Sequence, residues 1–210
     1  FYESIPADMP DGQLANRVAV FLAAESRLLT LQLEEDGDGR PIGLVLRPLF
    51  WDHVVAPQQM YWTIRRWLED RAARGRMALD FVPNGDLDAL RASVRPGLTK
   101  LVWIETPSNP MGAITDIAAT AEVAHEAGAR LVADGTIATP VLCRPLELGA
   151  DLVMHSATKQ LNGHADVLAG ALVTARHDEW WERVTHDRGY RGAVLGPFEA
   201  WLLLRGMRTL

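Results

Sequence analysis

The chain has 210 residues, 48% hydrophobic and 23% charged, with a formal net charge of −6 at pH 7 and one cysteine, Cys143. This is the composition of a globular domain long enough for one sizeable core. It argues against a nucleic-acid partner (no basic run or basic helix with interleaved aromatics), against a membrane span (no apolar run near the about 20 residues required), and against an internal disulfide.

The N-terminus, Phe1-Tyr2-Glu3-Ser4, has no basic segment leading into an apolar core, so no signal peptide is expected. A single cysteine suits a cytoplasmic setting. The absence of a starting methionine points to a segment of a longer protein. Residues 1–50 read differently from the rest. Asn16 to Ala24 is expected to be a short helix. Leu28 to Leu33 alternates with period two, runs into the acidic stretch Glu34 to Gly39, and is followed by the apolar run Ile42 to Leu46. Two such runs around Asp-Gly predict a β-hairpin. The acidic tip lacks the spacing of a calcium loop and reads as solvated.

Beyond residue 50 the pattern alternates between strand and helix. His53 to Ala56 is a strand and Gln58 to Ala73 a helix. Ala78 to Val82 is a strand and Asp86 to Val94 a helix. Lys100 to Glu105 is a strand that stops before Pro107. Asp116 is an expected N-cap, with Ile117, Ala121 and Ala124 at helical spacing and Gly128 as the stop. Strands follow at Arg130 to Ala133, Asp151 to Met154 and Gly170 to Thr174. A last helix runs from Pro197 to Leu210 without a closing signal, as a truncated element would. Short apolar strands between helices predict an α/β fold, with a mostly parallel sheet covered on both faces.

In such a sheet ligands bind beyond the carboxyl ends of the strands. Candidates gather there. Asn109 lies in the loop after Glu105, Asp134 closes the next strand, and Ser156, Thr158 and Lys159 follow Met154. Twenty-five residues separate Asn109 from Asp134, and again Asp134 from Lys159, about one strand–helix unit each. A lysine just after a buried strand, with hydroxyls beside it and a carboxylate upstream, suits pyridoxal phosphate (PLP). Lys159 would hold the aldehyde carbon as a Schiff base and, once released by substrate, act as general base. Asp134 would keep the pyridine nitrogen protonated. Ser156 and Thr158 could bind the phosphate, or cap local backbone. Asn109 could bond the ring 3′ oxygen, or serve only the turn. His155 and His164 have no third ligand at suitable spacing and read as structural, so no metal site is expected.

These residues carry a resemblance. Glu105-Thr106-Pro107-Ser108-Asn109-Pro110, Asp134 to Pro140, Arg144 to Asp151, Ser156 to His164 and Leu195 to Gly206 resemble, in the same order, segments of the Cys/Met-metabolism PLP-dependent enzymes. The likeness runs from about His53 to Leu210. It implies a fold-type I PLP-binding large domain over residues 51–210, with residues 1–50 an unassigned helix and hairpin. It also implies PLP on Lys159, Asp134 at the ring nitrogen, and Ser156 and Thr158 at the phosphate. Thr136 belongs with the cofactor-binding positions, and Tyr61 lies where a tyrosine stacks on the ring and assists proton transfer. The implied reaction is elimination or replacement at the γ or β carbon of a sulfur amino acid or activated homoserine, by a homodimer or homotetramer. Two other readings remain open: a non-catalytic remnant that keeps the PLP-binding core, and a PLP aminotransferase. Departures from the family pattern are the Tyr61-Trp62-Thr63 segment, Gly135 and Ile137, and three contacts not found. These are a Ser-Gly-Met turn before Asp52, a Tyr-and-Arg arm, and a substrate-binding arginine in a C-terminal domain.

Overall fold

A computed structural model describes residues 29–35, 41–48, 53–75 and 77–210. The expected helix at Asn16 to Ala24 and the Asp-Gly turn lie outside these. The described residues fall into two compact units, the hairpin with residues 178–194 and the remainder.

In the first unit β1 (Leu29–Glu35) and β2 (Pro41–Pro48) pair antiparallel, with Leu31 opposite Leu46 and Leu33 opposite Leu44. The two predicted runs therefore form the expected ladder.

The second unit is built on six strands: β3 (His53–Pro57), β4 (Ala78–Val82), β5 (Thr99–Glu105), β6 (Arg130–Asp134), β7 (Leu152–His155) and β8 (Ala171–Val173). Their order is β4-β3-β5-β6-β7-β8. All neighbours are parallel except β7 and β8, which are antiparallel. β3 is buried along its whole length, as befits a central parallel strand with both faces covered. The core is Val55 and Val102 from the sheet, Leu131 and Ala133 from β6, and the apolar face of α3 (Ile117–Glu126), where Ile117, Ala121, Val123 and Ala124 are buried.

The caps follow the sequence reading. The Asp116 side chain accepts the Ala119 N–H at 3.0 Å. At the other end Gly128 has φ +75°, and N–H groups of Gly128 and Ala129 donate to His125 and Ala124 carbonyls. That pair of bonds is a Schellman closure, and the left-handed φ is why glycine sits there. α2 (Leu87–Ser93) starts on Asp86, whose side chain accepts the Ala89 N–H at 2.8 Å.

One boundary differs from expectation. α1 spans Trp62–Ala73, not Gln58 onward. Tertiary partners take the intervening N–H groups. Gln58 N–H donates to the Val82 carbonyl at 2.8 Å, Gln59 N–H to Asn84 Oδ1 at 2.9 Å, and Tyr61 N–H to Glu105 Oε2 at 2.6 Å. These bonds tie the segment after β3 to its neighbours, and the helix starts beyond it. Elements the periodicity did not announce are α4 (Thr139–Leu142), a 3₁₀ turn at Pro145–Leu148, and α5 (Glu179–Tyr190), which belongs to the first unit. α5 has no buried residue and therefore no apolar stripe to read; its Asp178 cap, accepting Trp181 N–H at 3.0 Å, marks its start. The last helix, α6, is Pro197–Met207.

Candidate active site

β3 is followed in sequence by β4 on one side of it and by β5, β6 and β7 on the other. The winding therefore reverses between β3 and β5, and a crevice outside the carboxyl ends of those strands is where an open α/β sheet binds ligands. Tyr61 follows β3, Glu105 ends β5 and leads to Asn109, Asp134 ends β6, and Ser156 to Lys159 follow β7.

Asp134 is 5% exposed. Its Oδ1 accepts the Thr136 N–H at 3.0 Å, and the nearby Thr136 hydroxyl favours the charged carboxylate. The same Thr136 oxygen accepts the Ser156 N–H at 2.8 Å. Thr136 is thus a bracket between the β6 carboxylate and the loop that carries Lys159. Burial pushes the Asp134 carboxyl above its ordinary range, with the Thr136 bonds and His155 opposing. Beside it His155 is 4% exposed, its Nδ1 has no hydrogen-bond partner among the described residues, and burial lowers its pKa. A Cβ at Gly135 would meet His155 Cε1 at 2.9 Å, so the glycine gives that ring its place.

Glu105 is the residue sequence reasoning passed over. It is 4% exposed and stands in register with Asp134 on the neighbouring strand. Its Oε2 accepts the Tyr61 N–H, and its Oε1 accepts the Asn109 N–H at 2.7 Å. Burial is the main cause of its raised pKa, with the Asp134 charge adding to it. The available signal was positional: it is a carboxylate closing an apolar strand at the same edge as Asp134.

Lys159 lies in the turn after β7. Its N–H donates to the Ser156 carbonyl at 2.9 Å, and its carbonyl accepts the Gly163 N–H at 2.8 Å. The residue is exposed and lines an open cleft of about 610 Å³ with Thr158, Gln160, Asp166 and Leu168. The cleft wall is braced from behind. Asn162, fully buried, donates Nδ2 to Asp166 Oδ1 at 2.9 Å, and Arg205 of α6 donates to Asp166 Oδ2 at 2.5 Å. These two donors hold the Asp166 carboxyl below its ordinary range. His164 Nδ1 bonds the Asn162 carbonyl at 2.6 Å, a structural role as expected.

Direct bonds therefore join Asp134, Thr136 and Ser156, and Glu105 joins Tyr61 to Asn109. Asp134, Asn109 and Tyr61 do not line the Lys159 cleft. The Thr158 hydroxyl donates to the Ala169 carbonyl at 3.2 Å and accepts the Ala169 N–H at 2.9 Å. Its single proton must turn away from Ala169 to meet a phosphate. The Ser156 backbone is engaged through Thr136, while Asn109 is exposed with its N–H held.

The donor set fits PLP at one atom. Among the described residues neither Asp134 nor Glu105 carries an ion pair, and the buried Asp134 carboxylate at the end of β6 is a group that a protonated nitrogen would stabilise. The pyridine ring of PLP carries such a nitrogen. Among the described residues no cluster of metal-ligating side chains occurs, and no helix is long and apolar enough to cross a membrane.

The family described as Cys/Met metabolism PLP-dependent enzyme matches residues 47–210. A probable cystathionine gamma-synthase of Herpetosiphon aurantiacus is 40% identical over 174 residues, covering 83% of this chain and 54% of that protein. A cystathionine beta-lyase of Coxiella burnetii is 37% identical across all 210 residues, which is 50% of its length. The crystal structure of cystathionine gamma-lyase from Lactobacillus plantarum complexed with L-serine superposes with a TM-score of 0.71 at 37% identity, over 75% of this chain and 41% of that one. The chain thus spans about half the length of the curated relatives it matches.

Proposed function

The chain belongs to the Cys/Met-metabolism PLP-dependent enzymes, and from that premise we propose that it is the cofactor-binding part of an enzyme of sulfur amino-acid metabolism. The reaction is elimination or replacement at the γ or β carbon of a sulfur amino acid or an activated homoserine. The protein works in the cytoplasm as a homodimer or homotetramer, and residues 51–210 act as the PLP-binding domain. The observation that carries the reading is the buried Asp134 carboxylate, bracketed by Thr136 to the loop of Lys159.

The residues divide the work. Lys159 attaches the cofactor through Nζ, and the same amine, when free, takes the proton from the substrate α carbon. Its exposure at an open cleft gives that amine access to substrate. Asp134 holds a proton on the ring nitrogen, which a nearby carboxylate favours. Thr136 fixes the orientation of that carboxylate. With PLP bound, Asn109 would offer its side-chain amide to the ring 3′ oxygen, Tyr61 would contact the ring, and Ser156 and Thr158 would supply hydroxyl donors to the phosphate. When bound, PLP supplies the electron sink for the charge left by proton loss.

The test is covalent attachment. Purified protein is incubated with PLP, reduced with borohydride and mapped by mass spectrometry. We expect the pyridoxyl group on Lys159, a visible absorption band before reduction, and neither in Lys159→Ala. Because Lys159 is exposed, that variant should keep wild-type thermal stability to within about 0.5 kcal/mol. Label on another lysine, or none, would overturn the assignment. A panel of cystathionine, methionine and O-acylhomoserines then identifies the reaction by its products, and turnover of none would sink the proposed activity.

A further inference from the structure

We propose that Glu105 is a positioning residue that sets Tyr61 and Asn109 at the spacing the cofactor ring requires. The inference rests on the PLP reading above and adds a residue to it. Glu105 carries no side-chain role in that reading. It would not contact the ring; it acts through two backbone N–H groups.

The geometry is specific. Tyr61 occupies the N-cap position of α1 and has no side-chain cap bond. In a capping box a glutamate three residues into the helix reaches back to the N-cap N–H. Here the carboxylate that takes that N–H comes from another strand, 44 residues away in sequence. The Glu105 charge thereby lies beside a helix N-terminus, which favours an anion. The second oxygen takes the Asn109 N–H, four residues downstream. One rigid strand end thus anchors the segment after β3 and the loop after β5. It does so across the point where the sheet winding reverses.

Both bonds are short, at 2.6 and 2.7 Å, and the carboxylate is 4% exposed, so water is a poor substitute. Each bond is charge-assisted. Without them Tyr61 and Asn109, both exposed, would keep only their own loop geometry. A ring gripped from two sides by residues on separate segments needs those segments held to a fraction of an ångström.

Glu105→Gln keeps the size and one acceptor but turns an N–H donor toward another N–H. PLP affinity of the cofactor-free protein is measured by absorbance titration. We expect the variant to bind about tenfold more weakly, equivalent to ~1.4 kcal/mol. The visible band of bound cofactor should shift in the same direction as in Asn109→Ala. Glu105→Gln combined with Asn109→Ala should fall short of the product of the two single losses, because part of the Glu105→Gln loss acts through the Asn109 contact that Asn109→Ala already removes. Unchanged affinity in Glu105→Gln, or fully additive losses in the double variant, would overturn the proposal. Should Glu105→Gln fail to fold, hydrogen exchange in the cofactor-free wild type decides. The Tyr61 and Asn109 amides must both exchange slowly, and fast exchange at either refutes the staple. A wild type that binds no PLP brings down the underlying reading, whereas a wild type that binds normally beside an unaffected Glu105→Gln brings down only this inference.

Discussion

Asp134→Asn should make the cofactor-free protein more stable and the cofactor-bound protein less so. Asn keeps an oxygen for the Thr136 N–H and removes the charge. The charge is costly without cofactor: the side chain is 5% exposed, its donors come from Thr136 alone, and Glu105 stands in register beside it. A carboxyl whose pKa is raised by folding favours the folded state while protonated. That contribution is complete below about pH 3.9 and is lost as pH rises through the raised folded value. At neutral pH the wild type therefore carries a penalty that Asn does not. The new amide needs a partner of its own, which limits the gain to ~1 kcal/mol. For a chain of this size that is roughly 2–4 °C in Tm. With PLP the sign reverses. Removing one member of a buried pair costs ~3–5 kcal/mol, or roughly two to nearly four orders of magnitude in affinity.

The assay is thermal unfolding across pH, with and without PLP. Wild type should gain Tm on adding cofactor, as any ligand of the native state confers, and Asp134→Asn should not. The cofactor-free difference between them should shrink as pH falls, because protonation removes the wild-type penalty. A cofactor-free Asp134→Asn that is less stable than wild type from about pH 5 to 8 would refute the reasoning. So would an unchanged gain from PLP.

Two further changes probe the frame rather than the chemistry. In Gly206→Ala the new Cβ would clash with the Asn162 backbone oxygen. Alanine is worth about 1 kcal/mol more than glycine in a helix, but the clash costs ~1–3 kcal/mol, so the denaturant midpoint should fall and Lys159 labelling slow as α6 moves off the Asn162 turn. Asp151, with a side chain 2% exposed, receives His125 at 2.8 Å, Arg176 at 3.0 Å, Arg130 at 3.1 Å and the Leu131 N–H at 2.9 Å. Asp151→Asn should cost ~2 kcal/mol in denaturant unfolding rather than the full cost of a buried pair, since those cations are partly solvated, and should leave PLP affinity unchanged.

The strands were legible because a parallel sheet buried on both faces demands continuous apolar runs, and Val54-Val55-Ala56 and Leu131-Val132-Ala133 have no alternative use. Asp116 and Gly128 were legible because caps are local: each satisfies backbone groups within five residues. The start of α1 was not. Gln58 to Tyr61 carry no breaker after Pro57, and what holds them out of the helix is Val82, Asn84 and Glu105, all distant in sequence. The site divides the same way. Asp134 and Lys159 are recognisable by side-chain type and place. Glu105 acts on backbone N–H groups, which every residue but proline possesses, so its partners leave no mark in the pattern. The engagement of Thr158 with Ala169 escapes for the same reason.

The two buried carboxylates are not equivalent, and the difference bears on how the site accepts a cation. Each has burial as the first cause of its raised pKa. Glu105 has both oxygens occupied by N–H groups from separate segments, and neither donor can be turned into an acceptor. A proton placed there would break one of those bonds. Asp134 takes its donors from one neighbour, Thr136, whose hydroxyl can rotate. A proton is therefore accommodated with less disruption at Asp134, the carboxylate that would face the ring nitrogen of bound PLP. When both carboxylates are ionised, Glu105 and Asp134 repel across adjacent strand ends, which adds to the upward push that burial gives Glu105. That repulsion is part of the cost of the unprotonated, cofactor-free site, and a bound cation would offset it. It follows that Glu105→Gln should blunt the stability gained by Asp134→Asn, so the two substitutions must fall short of additivity in cofactor-free unfolding.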